Sequence, residues 1–221
     1  TLAMWEPQLT LAGPFRVIRV DHRGHGGSPA PPGPYAMPDL AADVVELLDE
    51  LGLAQVAFCG LSLGGMVGMY LGSEHPHRLT SLTLCCTTSH FADKAPWEER
   101  IAAVEAQGTA GIADAVVSRW FTPEWAAVHP DVVTALRNQI ADTPDAGYLG
   151  CCRAIAGWDH RERLAAVAVP TLVIGGSDDL STPVDPHALA LVDGIPGARL
   201  EVLAGAHLAT IESAEAASEL I

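Results

Sequence analysis

Ser62, Asp179 and His207 are residue types that can serve as nucleophile, acid and base, and each follows a stretch that reads as a β-strand. Gly60-Leu61-Ser62-Leu63-Gly64 has the pattern G-x-S-x-G. The apolar run over residues 54–59 (AQVAFC) suits a buried strand, and the proline-free apolar run over 63–71 suits a buried helix. A strand-to-helix turn this tight strains the serine backbone, needs small neighbours and lifts the hydroxyl out of the fold. Taken alone, the five residues read equally well as a glycine-rich packing turn.

The rest of the chain weighs against the packing turn. A serine nucleophile needs a base and a group that orients the base. Gly176-Ser177-Asp178-Asp179-Leu180-Ser181-Thr182-Pro183 follows an apolar stretch (PTLVIG), and Gly205-Ala206-His207 follows another (RLEVL). Both groups fall beyond the carboxyl ends of expected strands, where an α/β sheet carries its functional loops. The chain order Ser…Asp…His is that of the α/β-hydrolases. Other chemistries find no support. No G-x-G-x-x-G or G-x-x-x-x-G-K-[ST] occurs to cradle a phosphate, and His22 and His25 stand without the dense His/Asp set of a metal-dependent lactonase. Residues 21–28 (DHRGHGGS) read as a structural turn.

The elements that must position these residues alternate. Residues 15–20 (FRVIRV) read as a strand, 39–51 as a helix with Asp39 capping its start, and 54–64 as strand and elbow followed by a helix to about residue 74. Strands are expected at 79–85, 170–175 and 199–203, and helices at 186–193 and 212–221. Such alternation implies a mostly parallel sheet covered by helices on both faces. Residues 90–165 break the pattern. They are helical and carry Trp97, Trp120, Trp125 and Trp158, so they read as a helical cap inserted into a core formed by 1–89 and 166–221.

Composition narrows the function. With 221 residues, 49% apolar and 18% charged, the chain is expected to form one globular domain. A net charge of −15 and a single lysine, Lys94, leave no basic cluster for nucleic acid or an anionic membrane. No apolar window reaches transmembrane length, and no basic-then-apolar leader opens the chain. Cys59, Cys85-Cys86 and Cys151-Cys152 give neither a disulfide framework nor a C-x-x-C site; buried thiols in a reducing compartment explain them.

DHRGHGGS, GLSLGGMVGMYLGSEHPHR, RWFTPEW, GYLGCCRAIAGWD and PTLVIGGSDDLSTP together resemble the 3-oxoadipate enol-lactonases. The likeness runs through nearly the whole chain, cap included. It implies hydrolysis of 3-oxoadipate enol-lactone to 3-oxoadipate by a Ser62–His207–Asp179 triad, a cytoplasmic step of aromatic catabolism that needs no metal or organic cofactor. It also implies one oxyanion donor at the Leu63 backbone N–H and a second upstream of Thr1. Members of this family begin some tens of residues earlier, so the likeness further implies missing N-terminal strands, one lying between the 15–20 and 56–59 strands. In some relatives the domain is fused to a 4-carboxymuconolactone decarboxylase, which is therefore a candidate partner. The family loop has the spacing G-x-x-D with a proline four residues on, which selects Asp179 over Asp178. The substrate carries a carboxylate and the chain is acidic, so a cap arginine is needed. Arg119, Arg137 and Arg153 are the candidates, with Trp120 and Trp158 as apolar contacts. A related esterase, a cofactor-free perhydrolase and a non-catalytic ligand-binding relative remain the alternatives.

Overall fold

In the computed structural model, which describes Thr1–Ile221, four segments pair into one sheet. They are β1 (Val56–Leu61), β2 (Leu79–Cys85), β3 (Thr171–Gly176) and β4 (Arg199–Leu203), ordered β1-β2-β3-β4 with every pairing parallel. Side chains on a strand alternate between faces, and here both faces are apolar. Leu82, Leu84 and Val173 join one buried cluster, while Cys85, Leu172 and Ile174 join a second on the other face. A strand apolar on both sides must be covered on both sides, and helices do that.

The helices are α1 (Met37–Glu50), α2 (Leu63–Glu74), α3 (Ala95–Val117), α4 (Pro123–Val128), α5 (Pro130–Ala141), α6 (Asp145–Ala156), α7 (Leu189–Gly194), α8 (Ala209–Glu212) and α9 (Ala214–Leu220). Buried residues of α1, α2 and α7 (Leu40, Met66, Leu191) belong to the first cluster. Those of α3, α5 and α8 (Ile112, Leu136, Ile211) belong to the second. Helices α3 to α6 lie between β2 and β3 in the chain, a helical insertion within the α/β alternation. Helix α3 bends at Gly108, whose φ of 71° interrupts it.

Three details differ from expectation. Helix α1 starts two residues before Asp39, whose carboxylate reaches back to accept the Ala36 N–H at 2.8 Å. The C-terminal helical stretch is split at Ser213, where the hydroxyl donates to the Ala204 carbonyl at 2.7 Å. The largest correction concerns residues 15–20. They form no strand, because no ladder hydrogen bonds join them to a neighbour, and Phe15, Val17 and Val20 are exposed.

Candidate active site

Local geometry at the end of β1 explains the glycines of the first motif. Ser62 has φ 54° and ψ −114°, a region L-residues avoid, and helix α2 begins at the next residue. A Cβ on Gly60 would collide with the Gly64 carbonyl, so the turn closes only without side chains there. The strained residue is held from β2: its N–H donates to the Cys85 carbonyl at 2.9 Å, and its carbonyl accepts the Thr87 hydroxyl at 2.7 Å. Cys86, with φ 43°, turns the chain between those two contacts. Leu63 opens α2, so its N–H belongs to the first turn and has no intrahelical acceptor.

The candidate acid and base come from the ends of β3 and β4. A side chain on Gly176 would meet the Ala206 carbonyl, so glycine lets the two loops touch. Backbone bonds then lock them: Ser177 N–H to the Leu203 carbonyl and Asp178 N–H to the Gly205 carbonyl, each at 2.9 Å. Asp179, 3% exposed, accepts the His207 Nδ1–H at 2.9 Å. The same carboxylate accepts the Ser181 N–H at 2.7 Å, the Thr182 N–H at 3.1 Å and the Thr182 hydroxyl at 2.7 Å. Burial alone would raise its pKa; the His207 bond and charge and the Thr182 donors outweigh it and hold the group down to about 2. Asp178 is exposed, and its carboxylate only accepts the hydroxyl of its neighbour Ser177, at 2.6 Å. With Nδ1 on the carboxylate, the ring's free nitrogen is Nε2.

His207, Ser62 and Leu63 line one cavity of about 810 Å³. Trp97, Trp120, Arg100 and Arg119 from the insertion line it too. Of the residues expected to meet a substrate, Trp120 and Arg119 therefore stand at this cavity, and three others do not. Trp158 is buried elsewhere, with its indole N–H donating to the Thr88 carbonyl at 2.8 Å. Arg137 is turned outward onto Asp114 at 3.0 Å, and Arg153 pairs with Glu105 at 2.6 Å. Arg153 sits on α6 one helical turn from Leu149, and sequence spacing alone could not tell which face of α6 looks inward.

His22 and His25 also line the cavity, and burial pushes the His22 imidazole down to about 4, so it is neutral near pH 7. Their loop is a hydrogen-bonded turn: Asp21 accepts the Gly27 N–H at 2.9 Å, and the Ser28 hydroxyl donates to the Asp21 carbonyl at 2.7 Å. No three His, Cys, Asp or Glu side chains gather as a metal-ligand set. All five cysteines are free thiols. No helix is long and apolar enough to cross a membrane.

Sequence reasoning missed Glu212. Its carboxylate accepts the Ala206 N–H at 2.7 Å, next to His207, and the Thr122 hydroxyl at 2.6 Å, at the start of α4. It thus ties the histidine loop to the insertion. Its only signal was its place, five residues beyond His207 in an otherwise small and apolar stretch.

A parallel sheet with a strained serine between strand and helix, and an Asp–His pair beyond later strands, is the arrangement expected of α/β-hydrolases. The chain belongs to the α/β-hydrolase fold family, whose pattern it matches over residues 2–214. Within that family it is similar to the 3-oxoadipate enol-lactonases. It is 36% identical to 3-oxoadipate enol-lactonase 2 of Acinetobacter baylyi over 97% of this chain and 80% of that one. The crystal structure of the enol-lactonase from Burkholderia xenovorans LB400 superposes with a TM-score of 0.96 at 38% identity, covering 99% of this chain and 84% of that one. A thermophilic esterase from Thermogutta terrifontis, solved with malate bound, matches with a TM-score of 0.92 at 29% identity, covering 99% and 83% of the two chains.

Proposed function

We propose that this hydrolase opens 3-oxoadipate enol-lactone through an acyl-enzyme on Ser62, with His207 as base and Asp179 as its orienting acid. The observation that carries the reading is the saturated Asp179–His207 pair opening onto the cavity that the strained Ser62 also lines. The likeness to enol-lactonases supports the substrate.

In this mechanism His207 Nε2 takes the Ser62 hydroxyl proton as Oγ attacks the lactone carbonyl, and Asp179 fixes the tautomer and stabilises the imidazolium. The tetrahedral oxyanion is met by the Leu63 N–H, and such a donor contributes about 3–4 kcal/mol. Collapse breaks the ring C–O bond, and the imidazolium proton goes to the enol oxygen, which tautomerises to the ketone. Water then loses a proton to His207, attacks the acyl carbonyl and frees the acid and the serine. An enol leaves more readily than an amine, so less general-acid help is required. Residues 90–165 act as a cap, and Trp97 and Trp120 are its tryptophans that face the reacting ring.

A substrate panel tests the reading: the enol-lactone, 4-nitrophenyl acetate, and peracid formation from acetate and hydrogen peroxide. Highest kcat/KM on the enol-lactone is expected. High activity on the simple ester with none on the lactone overturns the substrate and leaves an esterase.

A further inference from the structure

A carboxylate-bearing substrate entering a protein of net charge −15 needs a cation that is not already neutralised. Most of the arginines are. Arg19, Arg23, Arg78, Arg137, Arg153, Arg161 and Arg163 each hold an acidic side chain in an ion pair. Arg16, Arg100, Arg119 and Arg199 do not, and of these Arg16, Arg100 and Arg119 reach the Ser62 cavity. Arg16 and Arg119 are exposed, and an Arg119 N–H is spent on the Leu180 carbonyl at 3.2 Å. Arg100 alone is half-buried with no carboxylate or carbonyl partner.

Its surroundings fit an anion. The guanidinium carbon lies over the Trp97 ring, 4.8 Å from the centroid, a contact that orients the cation beside Tyr148. Tyr148 lines the same wall; burial pushes its phenol up to about 12, with the Arg100 cation only partly offsetting that, so it remains an O–H donor. Cys152, also on this wall, is a neutral thiol because burial raises it to about 12. The acid on the cavity wall, Asp93, is exposed and accepts the Ala95 N–H at 2.9 Å.

We propose that Arg100, with the Tyr148 hydroxyl, is the carboxylate-recognising pair of this cavity and sets its preference for anionic acyl substrates. The proposal rests on the serine-hydrolase reading above and deepens it by naming what holds the substrate's far end. A planar fork meets a carboxylate through two parallel N–H bonds, and the half-buried setting weakens solvent screening.

The test uses two esters of equal acyl length, anionic mono-4-nitrophenyl succinate and neutral 4-nitrophenyl butyrate, with calorimetric binding of glutarate as a readout free of turnover. For Arg100→Gln, kcat/KM on the anion should fall about 30-fold, mainly through KM, with less than about a 3-fold change on the neutral ester. Arg100→Lys should recover part of the loss, and Tyr148→Phe should lose about 5-fold on the anion alone. Glutarate binding should weaken in parallel. An unchanged anion-to-neutral ratio together with unchanged glutarate binding in Arg100→Gln overturns the proposal, as does a loss of the ratio in Arg119→Gln instead. A protein inert to the enol-lactone that still shows the Arg100-dependent preference overturns the substrate reading alone.

Discussion

Asp179 and Arg100 are both charged side chains serving one cavity, and they are held in opposite ways. Asp179 lies behind the wall, 3% exposed, with donors from Ser181, Thr182 and His207 on its two oxygens. Arg100 stands in the wall, half-buried, stacked on Trp97 and free of any acid. A group with every lone pair occupied can hold a neighbour in one orientation and do nothing else. A group with its donors unspent can bind what arrives. On the proposed reading, the α/β core fixes geometry and the inserted helices recognise the substrate.

The sharpest way to break the core side is to remove what it serves. Ser62→Ala should abolish acyl-enzyme formation and lower turnover at least ~10⁴-fold. A variant that keeps a tenth of the lactonase rate would show that Ser62 is not the nucleophile.

Asp179→Asn should cost about 10⁴-fold in kcat, the scale of the comparable change in a serine protease triad, while Asp178→Asn leaves activity nearly intact. The reverse order of damage would reassign the acid. The same carboxylate carries a pH signature. Its folded pKa is depressed to about 2 from an ordinary value of 3.8. Its stabilisation is therefore present above about pH 4 and is lost as pH falls towards 2. Chemical denaturation of wild type and Asp179→Asn across that window should show their stabilities converging, and a constant gap would mean the carboxylate is not the stabilising group.

Glu212 bridges the two regions, so it tests whether they are separable. Glu212→Ala leaves the Ala206 N–H and the Thr122 hydroxyl without their acceptor, a loss of about 1–2 kcal/mol. Turnover should fall about 10-fold with KM little changed, because the histidine loop loses its tie to α4. A lower melting point with unaltered kcat would make the residue a stability element only.

How legible these regions were follows from their physics. Strands β2 and β4 could be read with their observed ends, and the elbow and the Asp179 loop could be read because glycine spacing and short apolar runs are local signals. Residues 15–20 could not be read correctly, since alternation states only that a segment suits a strand, and pairing depends on a neighbour elsewhere in the chain. The cap side was harder still. Arg137 and Arg153 looked as suitable as Arg119 in sequence, and only folding reveals which guanidinium is claimed by an acid. Arg100 gave no sign, because being unpaired is a property of its surroundings.

That last distinction yields the smallest expected effect and a demanding control. Arg137 and Asp114 form a pair on the solvent side, with side chains 34% and 81% exposed, and Arg153 and Glu105 do likewise at 39% and 51%. Exposed pairs gain little from Coulomb attraction in water and lose side-chain entropy in forming. Neither arginine touches the Ser62 cavity, and Arg153 instead borders a smaller one beside Tyr35 and His160. Arg137→Gln and Arg153→Gln should therefore change kcat/KM on anionic and neutral esters alike by less than about 2-fold, and the melting temperature by no more than about 2 °C. If cap arginines acted only through their general field in an acidic protein, these two would weaken the anion preference as much as Arg100→Gln does. A selective loss of anion turnover in Arg153→Gln would move recognition to the outer face of α6 and break the contrast between a saturated core and a wall with one half-buried, unpaired cation.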